Sequence, residues 1–311
     1  MQAQIQPDRW KALLAFAIIY LVWGSTFLAI RVGVQEMPPF LFAAMRFTVA
    51  GMAMLGWTVA RGEPLPVRRE WLSIFILALL IFVLDYGLLF WAEQRVPSGI
   101  AAVMLATIPV FMALSEILIL RTQRLTIRLA LALLIGMCGV AVLVSRSLNL
   151  SGEAIDTVGA ITLIFASVSW GIGSALARKL PLPASKAISS GAQMLAGGLM
   201  LAATSAGLGE FGRFRLNAVT GAGWFALVYL IVFGSIIGFT AYVWLIHHES
   251  PTRVGTYAYV NPVIAVILGY FLGGEPIGLR TILGALCVLV SVIVITTTRK
   301  PTATPVPEEV G

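Results

Sequence analysis

Trp23-Gly24-Ser25-Thr26-Phe27 stands in the middle of one apolar run, and Trp170-Gly171-Ile172-Gly173-Ser174 stands in the middle of another, 147 positions later. The same offset places Arg46 on Gln193 and Gly51 on Gly198, so at least two consecutive apolar segments recur in order. A period of this length means that the chain is internally duplicated.

Composition sets the solvent. The chain is 59% hydrophobic and only 11% charged, and apolar stretches of about 20 residues recur along it. That is too little charge to cover a water-soluble body of this length. A bilayer, by contrast, solvates apolar side chains and forbids exposed backbone polar groups, so the spans are helices. Charged and Pro-rich breaks predict spans over 11–31, 40–60, 71–91, 98–120 and 127–145, then 157–178, 187–208, 221–247, 253–273 and 280–298. The expected fold is all-α: a polytopic membrane protein of ten transmembrane helices in two five-helix repeats, 1–148 and 149–299, with a disordered tail over 300–311. The first apolar run is long and lacks a small-residue cleavage site before Arg31, so it reads as a retained span and not a removable signal.

Fourteen of the 21 Lys and Arg fall on the amino-terminal side of these spans, six on the other side, and Arg46 lies inside one. Basic loops are retained in the cytoplasm, which predicts that both termini are cytoplasmic. Five is an odd number, so the second copy enters the membrane from the opposite side. Inverted repeats of this kind are the plan of many secondary transporters, with substrate bound near the midplane. The net charge of +7 is spread over loops without a basic stripe, which argues against a nucleic-acid partner. His247-His248-Glu249 lacks a second His four residues on, since position 252 is Thr and Pro251 breaks the helix; no metal, cofactor or enzymatic activity is expected. Cys138 and Cys287 read as packing residues.

Pro97 and Pro109 bracket one helix, and Pro251 and Pro262, the latter preceded by Asn261, bracket its counterpart. With Trp23 to Phe27, Arg46-Phe47 and Gly274-Glu275, these motifs resemble the EamA family of the drug/metabolite transporter superfamily, over nearly everything from Ala12 to Thr298. Within it the chain is similar to bacterial inner-membrane amino-acid exporters of the YddG type. The resemblance implies secondary transport: export of small metabolites, amino acids including aromatic ones, across the bacterial inner membrane by alternating access, without ATP. The implied partners are that small-molecule substrate and membrane lipid. Drug, nucleotide-sugar or other metabolite carriers of the superfamily, and a non-transporting membrane protein, stand as alternatives. Where the second half has Gly274-Glu275 the first has Thr122-Gln123, so the halves are not functionally symmetric.

Seven residues are expected to meet substrate. Arg46 lies about seven residues from the periplasmic end of its span, and Asp85 about eight, which puts both roughly 10–12 Å deep. A charge at that depth costs on the order of 3 kcal/mol, so each needs a partner, water or a ligand. They are expected either to pair with each other or to meet the carboxylate and ammonium of an amino acid. Trp23 and Trp170 are mid-span and repeat-equivalent, each followed by Gly, suited to cavity lining or to interhelical packing. Tyr257 and Asn261 are four apart, on one helical face, and Tyr86 neighbours Asp85. Trp10, Trp57, Trp71, Trp91, Trp224 and Trp244 fall near span ends as interfacial belt residues. Glu116 is expected to pair with Arg121 or Arg124, and Glu275 to favour the N-terminal dipole of the helix that follows it. Gly234/Gly238 and Gly269/Gly273 have the spacing of close helix contacts.

Overall fold

The structure, a computed structural model, describes residues 9–121, 126–144, 156–248 and 257–297. Among the described residues ten long helices form the bundle: α1 (Arg9–Glu36), α2 (Pro39–Ala60), α3 (Arg68–Ala92), α4 (Ser98–Leu120), α5 (Ile127–Val144), α6 (Thr157–Leu176), α7 (Lys186–Gly207), α8 (221–248), α9 (Tyr257–Phe271) and α10 (Leu279–Thr297). Seven of these are long and apolar enough to span a bilayer outright, and the described apolar stretches of α5, α9 and α10 are shorter. The chain is an all-helical, multi-pass membrane protein. The expected starts of the Pro251 helix, Thr122-Gln123 and the 300–311 tail lie outside the described residues.

Local chemistry explains the boundaries. Pro39 opens α2, where a missing amide costs nothing. Asp156 accepts the Gly159 amide at 2.6 Å to cap α6, Ser185 caps α7 through Ile188, and Thr220 caps α8 through Ala222. Inside α3 and α8, which are repeat counterparts, Ala78–Gly87 and Leu230–Ile237 wind as π-helix. Extra residues per turn shift the facing of every side chain beyond such a segment.

The packing has the two-fold character that the repeat predicts. The most extensive contacts join α2 to α7 and α5 to α10, each helix to its own counterpart. The next join α1 to α8 and α3 to α6, and α1 to α9 and α4 to α6, pairs that exchange under the same symmetry. At the α2–α7 crossing a Cβ on Gly198 would lie 2.5 Å from the Thr48 amide nitrogen, and one on Gly51 would overlap the Leu195 backbone. Repeat-equivalent glycines thus let each backbone into the other helix.

At one end of the bundle three carboxylates reach across the halves to helix N-termini. Glu36 accepts the Thr220 amide and hydroxyl, both at 2.7 Å, before α8. Glu210 accepts the Leu41 amide at 2.9 Å in the first turn of α2. Glu275 accepts the Ser98 and Gly99 amides, at 2.7 and 3.0 Å, at the start of α4. An anion there satisfies orphan amides and opposes the helix dipole. This corrects the expectation for Glu275, which caps α4 of the other half and not α10. Gly274, at φ +63°, turns the chain back, and Gly269 leaves the side chain room that a Cβ would fill. At the opposite end Glu116 pairs with Arg178 at the foot of α6, not with Arg121, and Arg124 lies outside the described residues.

Gly51→Ala and Gly198→Ala should each lower stability by about 1–3 kcal/mol through overpacking. Gly56→Ala, with open space around it, should not. Thermal unfolding of the detergent-purified variants checks this.

Candidate functional site

A cavity of about 470 Å³ lies between the halves, and Trp23, Arg46, Asp85, Tyr86, Trp170, Tyr257 and Asn261 all line it. It runs from the exposed Lys186, at the start of α7, inward to Ile30 and Leu89. Beyond them the other end is shut by Val34, Phe42, Phe90, Val96 and Ile100, all buried. On the outer surface of that shut end a separate, wider crevice of about 620 Å³ is bordered by the capping carboxylates Glu36 and Glu210.

Two aromatic groups face the cavity, each built from side chains of both halves. Trp23 packs against Tyr242 at 5.4 Å and edge-on against Tyr257 at 5.3 Å, and its Nε1 donates to the Gly234 carbonyl at 3.1 Å. That bond needs Gly238, where a Cβ would stand 2.5 Å from Nε1. Trp23 therefore packs between helices and lines the cavity at once. Trp170 meets Tyr86 edge-on at 5.9 Å, and Tyr86 packs on Phe47 at 4.8 Å.

Arg46 is only 2% exposed. Its guanidinium carbon lies 4.7 Å from the Phe47 ring centre and 5.3 Å from that of Tyr86, and its Nε donates to the Ser235 hydroxyl at 3.0 Å. Its Nη1 has no hydrogen-bond partner. Asp85, 1% exposed, has an equally unpartnered Oδ1. The expected Arg46–Asp85 ion pair is not among those of the described residues; Ser235 and the rings hold the guanidinium instead. Both residues line the same cavity, and each keeps one buried polar atom without a hydrogen-bond partner.

Several lining residues escaped the sequence reading: Lys186, Ser235, Tyr242 and Gln193. Gln193, whose amide donates to Ser189 at 2.9 Å, was within reach, because the 147-residue offset aligns it with Arg46. Ser235 hides in an apolar run between Gly234 and Ile236, where only the folded neighbour reveals its use.

Residues 10–145 and 157–297 each match the EamA-like transporter family. The chain belongs to that family. It is a membrane transporter and not an enzyme. A chain 39% identical over 92% of this one and 90% of its own length is the uncharacterized inner membrane transporter YedA of Escherichia coli. Another, 26% identical over 89% of this chain and 94% of its own, is the uncharacterized transporter YoaV of Bacillus subtilis. One crystal structure, 22% identical, superposes with a TM-score of 0.62 over 92% of this chain and 97% of that one, a likeness of fold alone.

In this EamA-like transporter, Gln193→Cys should react readily with a charged, water-soluble thiol reagent, whereas Ala101→Cys, fully buried and off the cavity, should not. Mass spectrometry of the labelled protein, with Cys138 and Cys287 replaced by Ala, reads the difference.

Proposed function

We propose that this chain exports small zwitterionic metabolites, amino acids including aromatic ones foremost, in the manner of the YddG-type exporters it resembles. The observation that carries the reading is that Arg46 and Asp85, each with a buried polar atom that has no partner within the protein, line one cavity walled by aromatic rings. A buried donor or acceptor without a partner costs about 1–3 kcal/mol, which a ligand returns on binding. An α-carboxylate suits the guanidinium through a charge-assisted bond, an α-ammonium suits Asp85, and a flat side chain suits the rings of Trp23, Tyr86 and Trp170. Tyr257 and Asn261 complete the polar wall. A volume of about 470 Å³ lies within the range of small-molecule sites.

The end at which the cavity meets Lys186 also carries Arg61, Arg68, Arg69 and Arg178, which supports a cytoplasmic assignment for it and for both termini. Substrate then enters from the cytoplasm, and rocking of the halves 1–148 and 149–299 about the α2–α7 crossing exposes it to the periplasm. The inner-membrane name of the Escherichia coli relative supports the same location here.

Reconstituted vesicles loaded with labelled amino acids test this. Saturable efflux, competed by unlabelled substrate, is expected; efflux only of nucleotide sugars or drugs would move the substrate class elsewhere in the superfamily. Trp23→Ala and Trp170→Ala should cut flux well below Trp10→Ala and Trp224→Ala, and equal losses would remove the aromatic walls from the binding site. Asp85→Asn should raise KM for zwitterions by roughly 10-fold or more, as loss of a charge-assisted contact does.

A further inference from the structure

Glu93, in the turn between α3 and α4, carries a buried carboxyl group that the cavity does not use. It is 0% exposed, and neither of its side-chain oxygens has a hydrogen-bond partner. It stands one helical turn, roughly 6 Å, beyond Leu89, where the cavity ends. Every element around it brings a charge. From α1, the Arg31 guanidinium donates to the backbone carbonyl of Glu93 itself. From α2 comes Arg46, and from the turn after α9 comes Glu275, whose carboxylate is engaged with the α4 amides. Asp156, just before α6, is turned onto the Gly159 amide, and on the turn that holds Glu93 itself Arg95 lies over the Trp91 ring.

An ionised carboxylate without a single donor is far costlier to bury than a neutral acid. Burial pushes the Glu93 carboxyl well above the usual carboxylate range, Glu275 adds to the rise, and Arg31 and Arg46 oppose it.

We propose that Glu93 is a proton-binding site of the shut end, holding a proton while that end is closed and releasing it to water when the end opens. The carboxyl O–H bond breaks, its electron pair stays on the carboxylate, water takes the proton, and Arg31 balances the charge left behind. A second negative charge beside Glu275 also works against the cap that ties α4 to the other half. The closed state has the higher proton affinity, so it is favoured at low pH. That advantage is lost as pH rises through the elevated closed-state value. The proposal rests on the chain being a transporter and not on which solute it carries.

Spin labels at Gln35→Cys and Gly212→Cys, on opposite halves of the shut end, test it in nanodiscs, with Cys138 and Cys287 replaced by Ala. Pulsed electron resonance should show the label separation gaining a longer component as pH rises. Adding Glu93→Gln should hold it short throughout. An unchanged pH response in Glu93→Gln, or none without that substitution, overturns the proposal. Infrared spectra supply a measurement that does not depend on the gate. In an Asp85→Asn background, the carbonyl stretch of a protonated carboxyl should be present at neutral pH and vanish with Glu93→Gln. Absence of the band in that background, or its persistence with Glu93→Gln, overturns it equally.

Discussion

The backbone-to-backbone crossing of α2 and α7 at Gly51 and Gly198 is the constraint from which the rest of the architecture follows. Lipid supplies no hydrophobic force between helices, so close packing must hold them together, and only residues without a Cβ allow an approach this near. The crossing also sets the depth of the polar wall. Arg46 lies five residues before Gly51, and Gln193 lies five before Gly198, so equivalent positions on the two helices deliver both side chains to one cavity.

Around that crossing the two ends of the molecule are held by different chemistry. One is packed with buried aliphatic and aromatic side chains and stitched by Glu36, Glu210 and Glu275, each capping a helix of the other half. The other bears the Glu116–Arg178 pair, in which Arg178 is half exposed. A half-solvated pair of this kind contributes little. The Glu210 cap on the buried Leu41 amide contributes more, since losing it strands a polar backbone group. The duplicated chain is therefore symmetric in its helices and unsymmetric in its fastenings, as the contrast between Gly274-Glu275 and Thr122-Gln123 foreshadows in the sequence.

Features that depend on period and hydropathy were legible without coordinates. The 147-residue offset exposed the duplication, the α2–α7 glycine pair and the equivalence of Trp23 with Trp170. Runs of apolar residues placed the helix ends that lie among the described residues to within a few positions, α1 excepted, which continues to Glu36 where the apolar pattern stops near Arg31. Contacts between side chains far apart in sequence were not legible. The π-wound segment of α3 changes the facing of Asp85 and Tyr86, so a regular helical count cannot say how they sit against Arg46. Glu275 reads as a cap for the helix beside it because a cap supplied from another half leaves no local pattern. Nothing in the sequence marks Glu93, since its burial arises only when α1 and the turn after α9 close over it.

The cross-half caps have one more consequence. When Glu36, Glu210 and Glu275 let go, the amides of Leu41, Ser98, Gly99 and Thr220 are left without acceptors. Hydrocarbon offers none, and each bare amide in lipid costs several kcal/mol. Only a wet opening can receive them. Separation at this end is therefore coupled to its wetting.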